Sequence, residues 1–132
     1  MNVRVRKGIQ ARLSGRRAEW AAALLLMAKG YRILGMRLKT PQGEVDLVAR
    51  RGGVLAIVEV KQRRTLDEAL LAVSHGQRER LRRAGLGLAA RSGARNIPPV
   101  VRLDLVALAP GRWPRHIPDA WSDGLWSRGT GG

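Results

Sequence analysis

Two apolar strands joined by glycines constrain this chain more than any other feature. Gly43-Glu44-Val45-Asp46-Leu47-Val48 leads through Arg51-Gly52-Gly53 into Leu55-Ala56-Ile57-Val58-Glu59-Val60-Lys61. Short apolar runs bounded by turn residues read as the strands of a β-hairpin. Side chains alternate faces along a strand. Glu44, Asp46 and Val48 then share one face of the first strand, and Leu55, Ile57, Glu59 and Lys61 share one face of the second. That face starts apolar beside the turn and becomes charged at its far end. A sheet has this pattern where it emerges from a core into a cleft.

Turn length sets how the acids meet. A four-residue loop of Arg51-Gly52-Gly53-Val54 places Asp46 opposite Glu59 and Glu44 opposite Lys61. A two-residue loop places Glu44 against Glu59 instead. Either way two carboxylates become neighbours, and like charges facing each other across a strand pair are unfavourable. A divalent cation between them removes that penalty, and a partly hydrated set of hard oxygen ligands suits magnesium or manganese. Lys61 lies two residues beyond Glu59 on the same face. From there it can hold an attacking water, steady a phosphate oxygen or simply neutralise Glu59. Glu19 is a lone acid in an otherwise apolar and basic helix and could turn into the same cleft. The plainer alternative is a solvent-facing Glu-x-Lys ion pair. It accounts for Asp46 or Glu59 taken singly, but not for two acids that each follow apolar residues and pair across one hairpin.

The rest of the chain reads as one domain, since 132 residues support a single core. Residues 1–13 are a basic arm, 14–121 the domain and 122–132 a glycine- and serine-rich tail. A helix opens at Ser14 or Gly15 and runs to about Lys29, with Trp20, Leu24 and Met27, and Ala23 and Ala28 beside them, at helical spacing as its apolar stripe. Tyr31 to Lys39 is a first strand, closed by the turn Pro41-Gln42-Gly43. Thr65-Leu66-Asp67-Glu68 and Ser74-His75-Gly76-Gln77 both have capping-box spacing. They start a helix over 66–73 and another running to about Ala90, whose buried side is Leu81, Ala84 and Leu88. Gly85 and Gly87 weaken that second helix on propensity. After the break at Asn96-Ile97-Pro98-Pro99, Val100 to Ala107 is a further strand, and His116-Ile117 a possible last one. The fold class is therefore α/β: a mixed sheet flanked by helices, in the order α-β-β-β-α-α-β with a possible final β.

Charge points to the partner. Lys and Arg total 25 against 10 Asp and Glu, a net charge of +15. Such an excess attracts a polyanion, with nucleic acid the first candidate and a membrane surface the competitor. Arg50 and Arg51 flank the turn, Arg63 and Arg64 come just after Lys61, and Arg78, Arg80, Arg82 and Arg83 crowd a nearby helix. Together they form a candidate phosphate-tracking surface, which would give affinity without sequence reading. The alternative is a solvated basic face. No cysteine is present, so there is no disulfide or thiolate site. His75 and His116 are too isolated for a zinc site. Trp113 and Trp121 read as caps on the core edge, and Trp126 as the better candidate for base stacking. The longest apolar run, from Trp20 to Ala28, is too short to span a bilayer. No secretory segment is evident, and the expected location is cytoplasmic.

The same residues carry a resemblance. Ala18-Glu19, Gly43-Glu44-Val45-Asp46 and Val58-Glu59-Val60-Lys61 resemble the YraN family of small bacterial proteins. So do Ala69-Leu70-Leu71-Ala72-Val73 with Gln77 and Arg80, Arg102-Leu103-Asp104-Leu105-Val106, and His116-Ile117-Pro118-Asp119-Ala120. That family is similar to the PD-(D/E)XK nucleases, archaeal Holliday-junction resolvases in particular. The resemblance covers about residues 14–121. It implies a restriction-endonuclease-like fold and a DNA phosphodiesterase site. In that site Asp46, Glu59 and the Val60 carbonyl would be metal ligands, Lys61 would position or deprotonate the water, and Glu19 would complete the acidic set. It also implies Gln77, Arg78 and Arg80 near the nucleic acid, and possible homodimers, because a junction presents two equivalent strands. One departure stands out. Where the family has Asn-x-Arg after the first strand, this chain has Arg37-Leu38-Lys39. The expected function is a metal-dependent endonuclease on branched or otherwise structured DNA. The alternative is a nucleic-acid-binding protein of the same fold without catalysis, and a weaker third reading is a ribosome-associated or protein-binding factor.

Overall fold

The hairpin forms where the glycines place it. A computed structural model describes residues 3–92 and 97–122, with side chains for 16–91 and 97–122. The expected tail from 123 onward, Trp126 within it, Asn96 and the side chains of Ser14 and Gly15 lie outside the described residues. Strand β2 (Gly43–Arg51) turns at Gly52-Gly53 into β3 (Val54–Gln62). Gly52 has φ 58°, the positive value a two-residue hairpin turn needs at its first central position. Pairing closes at Arg51↔Val54 and runs to Leu47↔Val58. The turn thus has two residues but keeps the register expected of the four-residue loop. Carried one step further, that register sets Asp46 against Glu59.

The other elements follow in chain order. They are α1 (Val3–Ala28), β1 (Arg32–Thr40), then the hairpin, α2 (Leu66–Leu71), α3 (His75–Ser92), β4 (Val100–Leu108) and β5 (Arg115–Ile117). Strand order in the sheet is β1-β2-β3-β4-β5. Only β3 and β4 run parallel, from Val54↔Val100 to Gln62↔Leu108. A parallel pair needs a long crossover, and α2 and α3 supply it. Both helix starts use the expected caps. Thr65 Oγ1 accepts from the Glu68 N–H at 3.1 Å, and Glu68 reaches back to the Arg64 N–H at 3.2 Å. Ser74 Oγ accepts from Gln77 N–H at 3.1 Å while Gln77 Oε1 accepts from Ser74 N–H at 3.4 Å. Helix α1 is longer than expected and begins at Val3. Arg, Lys, Gln, Ala and Leu dominate that stretch, and all favour helix.

Helices cover both faces of the sheet. On one face Ala22, Ala23 and Leu26 of α1 pack with Leu47, Ala49, Ala56, Val58 and Val106. On the other, Leu81, Ala84 and Ala89 of α3 pack with Val48, Leu55, Ile57 and Leu103. Gly85 permits that second contact. A Cβ there would lie 2.7 Å from Val101 Cγ1 and 2.8 Å from Ile57 Cγ1. The glycine that weakens α3 by propensity is the one that lets it approach the sheet.

Two apolar assignments reverse. The stripe Trp20, Leu24 and Met27 does not face the core, and those residues are 57%, 60% and 44% exposed. Small residues on the adjacent face, Ala18, Ala22 and Ala23, are buried instead with Leu26. They let the helix lie close to a sheet whose own facing residues include Ala49 and Ala56. Trp113 is 90% exposed and caps nothing. Trp121 does pack at the core edge, and its ring N–H donates to the Leu70 carbonyl at 3.1 Å.

Candidate functional site

The hairpin ladder stops where the acids begin. Past Leu47↔Val58 no backbone pair joins β2 to β3. The Asp46 carboxylate takes over there, with Oδ2 accepting from the Val60 N–H at 2.9 Å. Face alternation also slips at this point. Val45 packs with Val48 in the cluster under α3, although Leu47 between them packs under α1. Glu44, Asp46 and Val48 therefore do not share one simple face. β2 leaves β3 here but stays paired with β1 through Met36↔Leu47 and Leu38↔Val45, and Arg37 between those pairs has φ 50°, so the irregularity lies where the two strands pass Asp46.

Glu59 sits in the gap. It is 7% exposed and follows Leu55 and Ile57 along β3. Burial pushes its carboxyl up from the ordinary 4.5 to about 7, and the charge of Asp46 and a hydrogen bond shared with it add to the rise. Lys61 acts in the opposite direction but more weakly, with its Nζ 3.6 Å from Glu59 Oε1. That spacing is an ion pair and too long for a hydrogen bond. Glu59 thus holds its proton up to near neutral pH. A divalent cation beside it would take the place of that proton.

Glu19 is also buried, but its carboxylate is engaged elsewhere. Arg37 Nε donates to Glu19 Oε1. The Arg37 guanidinium is raised by that hydrogen bond and by the Glu19 charge, and more distantly by Glu44 and Asp46. Arg37 thus lies between Glu19 and the Asp46 end of the hairpin. Its backbone has φ 50°, a left-handed position. Asn is among the non-glycine residues most at home there, and Arg37 is where the family resemblance led to an Asn. Among the described residues no three His, Asp or Glu side chains converge on one point. Two carboxylates with backbone oxygen and water remain a sufficient set for magnesium, which usually binds through one or two carboxylates and keeps several waters.

The basic residues divide by what holds them. Arg80 Nη1 donates to the carbonyls of Gln42 and Glu44, both at 3.2 Å. It lies so close to Gly43 that a Cβ there would meet Nη1 at 2.7 Å, and Gly43 also has φ 117°. Gln77 closes the α3 cap, and the Arg78 guanidinium lies 5.9 Å over Trp121. Arg50 donates to Gly52 O, and Arg51 to Lys29 O while lying 4.6 Å over the Tyr31 ring. Those two are at the turn end of β2, away from Asp46. Arg63 and Arg64 lie two and three residues beyond Lys61 and line open cavities at the end of β3.

One cluster went unread in the sequence. Asp104 is fully buried on β4, where Arg102 grips it through Nε at 2.8 Å and Nη2 at 2.7 Å. His116 Nε2 is 2.8 Å away, and the Asp119 N–H donates at 3.0 Å. Burial raises the Asp104 carboxyl, but these partners outweigh it and hold it below the ordinary range. His116 Nδ1 meets Lys29 Nζ, and Arg102 also donates to the Tyr31 hydroxyl. The network ties β4 and β5 to the end of α1, and every buried polar atom in it is satisfied. It reads as structure. The only advance sign was an Asp in the middle of an apolar strand with an Arg two residues before it.

Comparison with known proteins is consistent throughout. Residues 18–108 match the model of a family described as "Uncharacterised protein family UPF0102". A UPF0102 protein of Caulobacter vibrioides (strain NA1000 / CB15N) is 66% identical over 120 residues, covering 90% of this chain and 94% of the relative. One from Parvibaculum lavamentivorans is 49% identical over 114 residues, covering 86% and 85%. One from Rhizobium meliloti is 46% identical over 114 residues, covering 86% and 92%.

Proposed function

This chain belongs to the UPF0102 family, and from that premise we propose that it is a metal-dependent endonuclease cutting phosphodiester bonds in branched or otherwise structured DNA. One observation carries the reading. A nearly buried Glu59, its carboxyl raised to about 7, lies against Asp46 with Lys61 3.6 Å away. A carboxyl perturbed by burial and by a neighbouring acid, beside a lysine, is a functional-site candidate with a physical rationale. The donor chemistry fits magnesium or manganese, with Asp46, Glu59 and the Val60 carbonyl as ligands. A bound cation would polarise the phosphate and acidify a water.

The chain's own groups do the remainder. Lys61 orients the attacking water or accepts its proton, and its charge offsets that gathering on the phosphate oxygens. Asp46 is braced by the Val60 N–H, so its carboxylate keeps a fixed direction. Glu19 joins the acidic set when Arg37 turns from it to a phosphate. The resemblance to PD-(D/E)XK nucleases supports the roles of Asp46, Glu59, Lys61 and Glu19. A net charge of +15 supports nucleic acid as the partner. Among the described residues no helix is long and apolar enough to cross a membrane. A second copy of the chain is the proposed occupant of the bare Trp20, Leu24 and Met27 stripe, which would make the enzyme a dimer.

The test is cleavage. Purified protein with magnesium or manganese is offered junction, flap and single-stranded DNA. Wild type should cut at least one, and Asp46→Asn and Lys61→Ala should not. Equal cutting by the variants would refute the site. No cutting, together with salt-sensitive binding and no metal uptake, would leave a non-catalytic nucleic-acid-binding module.

A further inference from the structure

A groove curves round the C-terminal ends of β3 and β4. It has two lobes of about 560 and 600 Å³ that share Arg63, Arg64, Leu108 and Ala109. Arg17 lines one lobe, Arg112 and Arg115 the other, and among the described residues no carboxylate lines either. Among the described residues no acid forms an ion pair with any of these five arginines. Trp113 stands at the rim, 90% exposed, in the connection between β4 and β5. The groove begins at the end of β3, one residue beyond Lys61 but on the other face of the strand: Gln62 and Ala18 line it, and they are the chain neighbours of Lys61 and Glu19.

Each part of this has a physical reading. Five guanidinium groups around one groove concentrate positive charge that no described acid pairs with, so their partner is a polyanion. The lobes are too open and too extended for a single phosphate ion, but they suit a backbone that passes through. An isolated exposed apolar side chain is ordinary on a protein surface. A tryptophan with nearly all its ring in water, set between Arg112 and Arg115, has the composition of a stacking platform beside a phosphate track. Bases inside a duplex hide their faces against one another, so only an unpaired nucleotide offers such a ring a partner.

We propose that this groove binds an unpaired nucleic-acid strand, with Trp113 stacking on an unstacked base and Arg17, Arg63, Arg64, Arg112 and Arg115 contacting the phosphates. The inference rests on nucleic acid being the partner of the neighbouring acidic site. It narrows the substrate to one with an unpaired segment next to the scissile bond.

Fluorescence anisotropy in EDTA tests it without any cleavage readout. Probes are oligo-dT and oligo-U of about a dozen nucleotides, in the site-size range of single-strand binders, with an abasic strand and a duplex of the same length. Trp113→Ala should weaken binding of the unpaired strands roughly tenfold, as loss of one stacked base does. It should leave the abasic strand unchanged, and Trp113→Phe should recover most of the loss. Arg112→Glu with Arg115→Glu should weaken every probe and flatten the salt dependence. A loss on oligo-dT alone makes the ligand DNA, on oligo-U alone RNA, and either supports the groove. Unchanged binding of both strands by Trp113→Ala, or an equal loss on the abasic strand, overturns it. Failure of cleavage in the Asp46 test leaves this binding result untouched, so the two readings can fail separately.

Discussion

Replacing Glu59 with glutamine should make the metal-free protein more stable, although it removes a site residue. Folding buries this carboxyl and sets it against Asp46, raising it from 4.5 to about 7. The folded state then holds the proton more tightly than the unfolded chain does. Stability therefore falls as pH rises from about 4.5 to 7 and stays low above that. A rise of this size, at about 1.4 kcal/mol per unit, is worth roughly 3 kcal/mol. That is a large share of the 5–15 kcal/mol that typically separates folded from unfolded states. Glutamine has the same shape and no charge to desolvate, so Glu59→Gln removes the penalty. Some of the gain is offset because Lys61 loses its partner. The expected gain at pH 8 is about 1–3 kcal/mol, shrinking towards zero near pH 5. Urea unfolding in EDTA across that range measures it. Manganese at pH 8 should stabilise wild type and have little effect on the variant. Wild type equally stable at both pH values, or a variant less stable at pH 8, would refute the reasoning.

Other outcomes follow from the packing. Gly85→Ala should destabilise by about 1–3 kcal/mol through overpacking against Ile57 and Val101. Gly87→Ala, with nothing within reach of its Cβ, should stabilise by up to about 1 kcal/mol, and thermal unfolding of the pair separates space from propensity. Asp104→Ala should cost about 3–5 kcal/mol by leaving Arg102 and His116 without their shared partner, a loss readable by urea unfolding. Leu24→Glu should leave the unfolding midpoint near wild type, since the residue is 60% exposed. Light scattering should find wild type as a dimer and this variant as a monomer, and identical masses would remove the α1 stripe as an interface.

Most of the fold was legible because its signals are local. Alternating apolar residues around Gly52-Gly53 define a hairpin, and two Ser/Thr-x-x-Glu/Gln spacings mark two helix starts. The closeness of Asp46 and Glu59 was legible as one of two registers, and the turn length did not select between them, because a two-residue turn kept the register expected of four and the ladder stops at Leu47↔Val58. What failed depended on partners distant in sequence. Helix α1 has two apolar faces, and its periodicity favours the one with the larger side chains. The sheet takes the alanine face because Ala49 and Ala56 leave room for close approach. The Asp104 network needed β5 to fold back beside β4 before His116 could meet it. Arg37 on Glu19 arises from a left-handed strand residue that no periodicity announces. Trp113 was assigned to the core by residue type alone, and its place in a turn between two strands leaves it in water.

The central claim is that Asp46 and Glu59 together hold a divalent cation. Crystals soaked in manganese and measured for anomalous scattering test it most directly. The account predicts a peak between the two carboxylates in wild type, with Lys61 alongside, and none in Asp46→Asn. A clean map with no peak there at neutral or higher pH, or the same peak in the variant, would contradict it.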